Sequence, residues 1–259
     1  EDRLQKLDYS KIPNYEKIDP QYKGLSFDPN NEYTVPYTWG TLGIIYNTTM
    51  VDGPIDSWEV MFSDEYAGNI LLIDNSRDAF GMALYYLGYD VNTTDEAQIR
   101  EAYQLVADAK ARGVYDGQGM DEVFQIMEGG NLAIATYYAG DFLSMHENNP
   151  DLAYCVPKEG SNWFVDAMCI LKDAPNKENA EAFINYMCST EAGLKNCEEI
   201  WYSTPLMSVR EELDPEVSGD VYAYPDETVM AKCESYAGLP QNILDLYDSE
   251  WTRLKSAAD

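Results

Sequence analysis

Histidine occurs once in the 259 residues, as His146. Its M-H-E-N-N-P setting reads as a solvated helix end, so acid–base or metal chemistry built on imidazole has little to work with. Basic side chains are scarce as well: 17 Lys and Arg face 46 Asp and Glu, a formal charge of −29. That balance repels nucleic acid and anionic membrane surfaces and favours cationic partners. No stretch approaches the ~20 apolar residues of a membrane span. The five cysteines, Cys155, Cys169, Cys188, Cys197 and Cys233, lack C-x-x-C spacing and offer no zinc signature. Cys188 and Cys197 could pair between neighbouring helical turns, although an odd count in a chain this large more often means small buried side chains. Also missing are a G-x-S-x-G elbow, a Walker loop and a G-x-G-x-x-G turn. No catalytic residue, cofactor or metal ligand is assigned, and the chain is not expected to be an enzyme.

What is present is enough apolar surface, 45% of residues, to bury a core in two modest domains. Residues 1–31 are polar and turn-rich and read as a connector. Tyr33, Val35, Tyr37 and Trp39 alternate as in a strand, with Pro36 marking an edge or a bend. Ser57–Phe62 reads as a short helix and Ile70–Asp74 as a buried strand running into a helix with Phe80, Ala83, Leu84 and Leu87 on one face, stopped by Gly88. Thr93 to Glu96 fits a capping box, followed by Ile99, Ala102, Tyr103, Val106 and Ala109 at helical spacing. Further on come a helix near Val123–Met127, a strand over Leu132–Tyr138 and a helix over Phe142–Glu147. Another helix is expected over Asn179–Cys188 with Ala180, Phe183, Ile184 and Met187 inward, and a last one bears Ile243, Leu246, Tyr247, Trp251 and Leu254. Alternating strands and helices make the class α/β.

Most of the carboxylates read as a solvated face, so only an acid set among aromatics is informative. Three such places recur. Asp78 lies near Phe80 where a strand meets a helix, the position at which open α/β sheets hold ligands. Asp141 follows Tyr137-Tyr138, and Asp166 follows Trp163-Phe164. Trp39 and Tyr202 are further aromatic candidates, expected to be exposed. The run from Pro157 to Cys169 (P-K-E-G-S-N-W-F-V-D-A-M-C) reads as a strand buried on both faces, in which Asp166 needs a cation, a donor network or a ligand to offset its desolvation. A structural aspartate served by backbone donors explains that stretch equally well. A carboxylate accepts charged hydrogen bonds from an ammonium, and aromatic faces bury methylenes and attract the cation, so the recurring parts suit a linear, multiply charged amine. The competing reading is an acidic metal-binding module or hydrolase using Asp74, Asp78 and Asp141. The loop D-N-S-R-D at 74–78 is only a faint calcium loop, with Ala79 where Gly is required and Tyr85 where the bidentate Glu would stand.

Several stretches, in order along the chain, resemble the spermidine/putrescine-binding proteins of polyamine ABC transporters: F-D-P-N-N-E-Y-T-V-P-Y-T-W-G at 27–40, L-L-I-D-N-S-R-D-A-F-G-M-A-L at 71–84, P-K-E-G-S-N-W-F-V-D at 157–166, Y-S-T-P at 202–205 and Y-P-D-E-T at 224–228. The resemblance implies a bilobal, periplasmic-binding-protein-like (type II) α/β fold whose crossing hinge strands let two lobes close over a polyamine. Residues 1–38 and 167–208 would form lobe 1, and residues 39–166 and 209–259 lobe 2. It implies a role at the periplasmic or extracellular face of the membrane, delivering spermidine or putrescine to ABC permease subunits, with lipid anchoring and fusion to a permease both left open. Ligand-facing positions carried over are Asp78, Tyr138, Asp141, Phe164, Asp166, Tyr202 and Tyr236, beside Trp39 and Trp163. Asn75 stands where many relatives have an acid. Tyr138 and Phe164 stand where many have Trp, with Trp163 shifted by one. The family pattern begins with a strand-helix-strand segment that has no counterpart here, so lobe 1 is expected to be incomplete and self-association through it is expected.

Overall fold

The computed structural model describes residues 3–257, so residues 1, 2, 258 and 259 of the expected lobes lie outside the described residues. The chain groups into two compact units, one of Glu1–Gly40 with Phe164–Tyr224, the other of Thr41–Trp163 with Pro225–Asp259.

The second unit is a sheet flanked by helices. Strand β1 (Thr34–Asn47) runs into it, followed by β2 (Ile70–Ile73), helices α1 (Ser76–Leu87) and α2 (Glu96–Ala111), β3 (Tyr115–Gly119), α3 (Glu122–Glu128), β4 (Ile134–Tyr138), α4 (Ala139–Asn148), β5 (Leu152–Cys155) and the start of β6 (Ser161–Cys169). A short β7 (Cys233–Glu234) and the last helix, Gln241–Ser256, complete it. The strand order is β3-β2-β4-β1-β6-β7, with β5 on β1. β2 pairs in parallel with β3 and β4, whereas β1 pairs antiparallel with β4 and β5. The all-buried run Ile70–Ile73 is what a parallel strand covered on both faces requires.

Local chemistry fixes the helix ends. Asn75 caps α1 by accepting from the backbone N–H of Arg77 and Asp78, and Gly88 closes it at φ 75°, a left-handed conformation that glycine adopts without a Cβ clash. Helix α2 buries Ile99, Ala102, Tyr103, Val106 and Ala109, the stripe expected from spacing. Its cap is Asp95 rather than Thr93, because the Thr93 hydroxyl instead accepts from the Asp95 N–H at 3.1 Å and bonds Gln98 at 2.6 Å. β3 and β5 carry no apolar alternation strong enough to announce them, which is why the spacing missed them.

The first unit is less regular. Residues 1–31 are not a mere connector: among them 3-10 turns at Tyr9–Lys11, Pro13–Lys17 and Pro20–Tyr22 deliver Ile12, Ile18 and Tyr22 into the core. Asp28 ties the segment down by accepting from the N–H groups of Glu32, Tyr33 and Thr34 and from the Thr34 hydroxyl. Burial pushes its pKa up, but those donors outweigh it and the pKa ends below the ordinary value. Helices α5 (Lys177–Met187) and α6 (Thr190–Ile200) complete the core. The inward face of α5 is Glu181 and Ile184, with Cys188 just beyond, and Phe183 is 59% exposed, contrary to the expected face. Glu181 is tolerated inside because it accepts from the Asp8 N–H at 2.8 Å and meets Lys177 at 3.4 Å. All five cysteines are free thiols.

Candidate functional site

Each unit carries an acid-and-aromatic group. In the second unit it forms at the N-terminus of α1. The parallel pairing of β2 and β4 brings Tyr138, the last residue of β4, beside the first turn of α1. Asp78 sits in that first turn, where a negative charge meets the positive end of the helix dipole. Its Oδ2 accepts from the Tyr138 hydroxyl at 2.7 Å and its Oδ1 from the Tyr236 hydroxyl at 2.9 Å. Asp78 is only 2% exposed, so it is the buried acid of the set rather than a solvated one. Burial raises its pKa against the opposing pull of Tyr138, Tyr236, Arg77 and Asn162. The two tyrosines respond reciprocally, and burial together with the adjacent carboxylate drives both phenols well above their ordinary value.

Tyr236 is held from three sides. Its ring lies under the Arg77 guanidinium at 4.6 Å, its hydroxyl also reaches the Arg77 carbonyl at 3.0 Å, and the next residue, Ala237, donates its N–H to Asn92 at 2.8 Å. Gly81 makes room for it, since a Cβ there would come within 2.5 Å of the Tyr236 hydroxyl. In an ordinary helix interior Gly→Ala gains ~1 kcal/mol. Gly81→Ala is expected to lose that gain in the wild-type background and recover it with Tyr236→Phe, where the hydroxyl is gone. Chemical denaturation of the four variants measures it, and additive effects would show that Tyr236 is not seated on Gly81.

Asp78 also gives a pH prediction. Its folded pKa lies above the unfolded value of about 4. Its contribution to stability is therefore full below the unfolded pKa and is lost as pH rises through the folded pKa. The stability of Asp78→Asn relative to wild type should grow in the variant's favour from about pH 4 upward. A relative stability that is flat with pH, or moves the other way, would contradict this environment.

Asp141 lies in the first turn of α4 and Trp163 near the start of β6, both half-buried. Tyr137 beside Asp141 is pushed up to about 12, first by burial and then by that acid. Asp74 is engaged by Lys255, whose ammonium stands 2.8 Å from both of its oxygens. Asp74, Asp78 and Asp141 form no common cluster: among the described residues no group of three or more His, Cys, Asp or Glu is placed to hold a metal.

In the first unit the group forms on β1 and β6. Side chains alternate faces along a strand, so Thr38 and Gly40 share one face of β1 and Trp39 takes the other. Trp39 is buried, not exposed as expected: it is 4% accessible and packs on Tyr22 at 5.4 Å and edge-on to Tyr224 at 5.9 Å. The Trp39 backbone N–H donates to the Ser203 carbonyl at 3.0 Å, which sets the 201–205 segment beside the strand. Gly40 lies under the rings of Phe164 and Tyr202, which meet edge to face at 6.3 Å, and a Cβ there would come within 3.2 Å of Phe164.

Asp166, two residues beyond Phe164 on the same strand face, accepts from the Thr38 hydroxyl at 3.1 Å. The strand is not buried on both faces as its composition suggests. Val165, Ala167 and Met168 are half-exposed and Asp166 itself is exposed. Neighbouring atoms still strip enough water from the carboxylate to raise its pKa, with Thr38 opposing. Among the described residues no Lys, Arg or His is paired with it.

The structure thus joins Asp78, Tyr138 and Tyr236 in one group and Phe164, Asp166 and Tyr202 in another. The residues missed from sequence were Thr38, Gly40, Gly81, Asn92 and Asn162. Strand alternation from Asp166 and Trp39 could have pointed to Thr38 and Gly40. Nothing local announces Asn92 or Asn162.

A sheet of mixed direction with helices packed against its strands, carrying acids at strand and helix ends edged by aromatic rings, has the organisation of a solute-binding protein. The sequence pattern of the bacterial extracellular solute-binding proteins matches residues 1–225, and the chain belongs to that family. It is 34% identical to the spermidine/putrescine-binding periplasmic protein of Salmonella typhimurium over 235 residues, 90% of this chain and 67% of that one. It is 32% identical to the protein of the same name from Escherichia coli K12, over 99% of this chain and 73% of that one. A Listeria monocytogenes structure described as a candidate spermidine/putrescine ABC transporter superposes with a TM-score of 0.93 at 37% identity, over 98% of this chain and 78% of that one. The spermidine/putrescine ABC transporter substrate-binding protein of Streptococcus pneumoniae, solved with calcium and HEPES, gives 0.86 at 37% identity over the same shares. The fold is therefore the periplasmic-binding-protein type that the sequence implied. No helix among the described residues is long and apolar enough to cross a membrane.

Proposed function

We propose that this protein captures a linear polyamine, spermidine or putrescine, on the outer side of the cytoplasmic membrane and delivers it to the permease subunits of an ABC transporter. The observation that carries the reading is Asp166: an exposed carboxylate that has no cationic partner among the described residues, on the strand face it shares with Phe164, whose ring meets Tyr202. An ammonium would receive a charged hydrogen bond there, and the rings would cover its methylenes and add cation–π attraction. Asp78 with Tyr138 and Tyr236 supplies the second acid-and-aromatic group, Asp141 and Trp163 are assigned to ligand contact as well, and Trp39 backs the first group from the core. In this reading the two units are the two lobes. The chain's formal charge of −29 favours the approach of a polycation. The names of the curated relatives point the same way. Equilibrium dialysis should retain labelled spermidine, release it to unlabelled putrescine and hold it against an equal charge concentration of Ca²⁺. Displacement by Ca²⁺ at matching strength would favour an acidic metal-binding module instead.

A further inference from the structure

We propose that Thr38 is a positioning residue for this capture: its hydroxyl fixes the Asp166 carboxylate in one rotamer on the strand face it shares with Phe164. The proposal rests on the reading of Asp166 as an ammonium acceptor. Thr38 is 5% exposed and lies one residue before the core tryptophan, so its backbone is anchored by the packing of Trp39 and by the Trp39–Ser203 bridge. From that fixed strand its Oγ1 reaches Asp166 Oδ2 at 3.1 Å.

A hydroxyl has a single proton to give, and here it gives it to one carboxylate oxygen. That leaves Asp166 Oδ1, and the second lone pair of Oδ2, for the hydrogens of an ammonium. It also favours the charged form of the acid, the only form that pairs with a cation. The Tyr37 phenol on β1 lies within electrostatic reach of Asp166 and of the Cys197 thiol of α6. Burial raises the Tyr37 phenol and pushes the Cys197 thiol up to about 11, so both stay neutral throughout the acid range. Among the described residues, Thr38 is the side chain whose hydrogen bond offsets the desolvation of Asp166.

The test compares wild type with Thr38→Val, which keeps the branched shape suited to a strand, and with Thr38→Ser, which returns the hydroxyl. Titration of the Asp166 carboxyl carbon by NMR without ligand should give a higher pKa in Thr38→Val and a restored one in Thr38→Ser. Spermidine affinity at neutral pH should fall roughly 3- to 10-fold in Thr38→Val, the loss of one hydrogen bond to the acceptor. The acid limb of its affinity–pH profile should move to higher pH, and Thr38→Ser should recover both. An unchanged Asp166 titration in Thr38→Val would overturn the proposal. So would a shifted titration with spermidine affinity and pH profile unchanged, or a Thr38→Ser variant that behaves like Thr38→Val. Wild-type protein that fails to bind spermidine would overturn the reading of Asp166 as the acceptor, and it is told apart because the titration is read without ligand.

Discussion

Replacing Asp166 by Asn is expected to weaken spermidine binding by about 10- to 150-fold while leaving the ligand-free melting temperature nearly unchanged. The magnitude is that of a hydrogen bond to a charged partner, ~1.5–3 kcal/mol. It falls below the ~2–5 kcal/mol typical of a fully buried charge pair, because Asp166 is exposed in the ligand-free chain. Stability is spared because among the described residues the carboxylate's one hydrogen-bond partner is Thr38, and an amide oxygen accepts that same hydrogen bond. Asp78 should behave in the opposite way. With two tyrosine hydroxyls already donating to it and 2% of its surface exposed, its substitution reads out first in folding and its pH dependence. Titration calorimetry and thermal melting of Asp166→Asn decide the matter. A variant that melts several degrees lower yet binds spermidine normally would make Asp166 a structural residue.

Truncation of Trp39 should act through the fold. Trp39→Ala is expected to destabilise the protein by ~3–5 kcal/mol, the usual cost of deleting a large buried aromatic. The side chain is 4% exposed, wedged between Tyr22 and Tyr224, and its backbone carries the bridge that holds Ser203 and, with it, Tyr202. Denaturant unfolding should show the loss without ligand, with any fall in polyamine affinity following from displacement of the 201–205 segment. A well-folded Trp39→Ala protein whose only defect is binding would place the indole against the ligand instead.

The contrast between these residues marks what was legible in the sequence. Helices with a clean apolar stripe, such as the one bearing Ile99, Ala102, Tyr103, Val106 and Ala109, were readable because burial at 3.6-residue spacing has one structural solution. The Asp78–Tyr138 pairing was half legible: a strand end and a helix start are local features, but that β4 lies beside β2 is a long-range fact of sheet order. The environments of the two central acids came out reversed. An apolar run around Asp166 suggested a dry strand, whereas Asp78, in a polar stretch, is the acid that the fold encloses. Composition reports what a segment could bury, and only the neighbouring chain decides whether it does. Trp39 was misjudged for the same reason, since the tyrosines that cover it, Tyr22 and Tyr224, lie far away in sequence. Residues 1–31 looked like a connector because Ile12 and Ile18 are spaced for neither helix nor strand, and 3-10 turns have no strong periodic signature.

The most direct test of polyamine capture is a calorimetric titration of the protein with spermidine, putrescine and butylamine at fixed moderate salt. The account predicts saturable binding of spermidine or putrescine, with butylamine weaker by at least about tenfold for want of a second ammonium. Equal affinity for all three amines, or no heat with any of them, would contradict it.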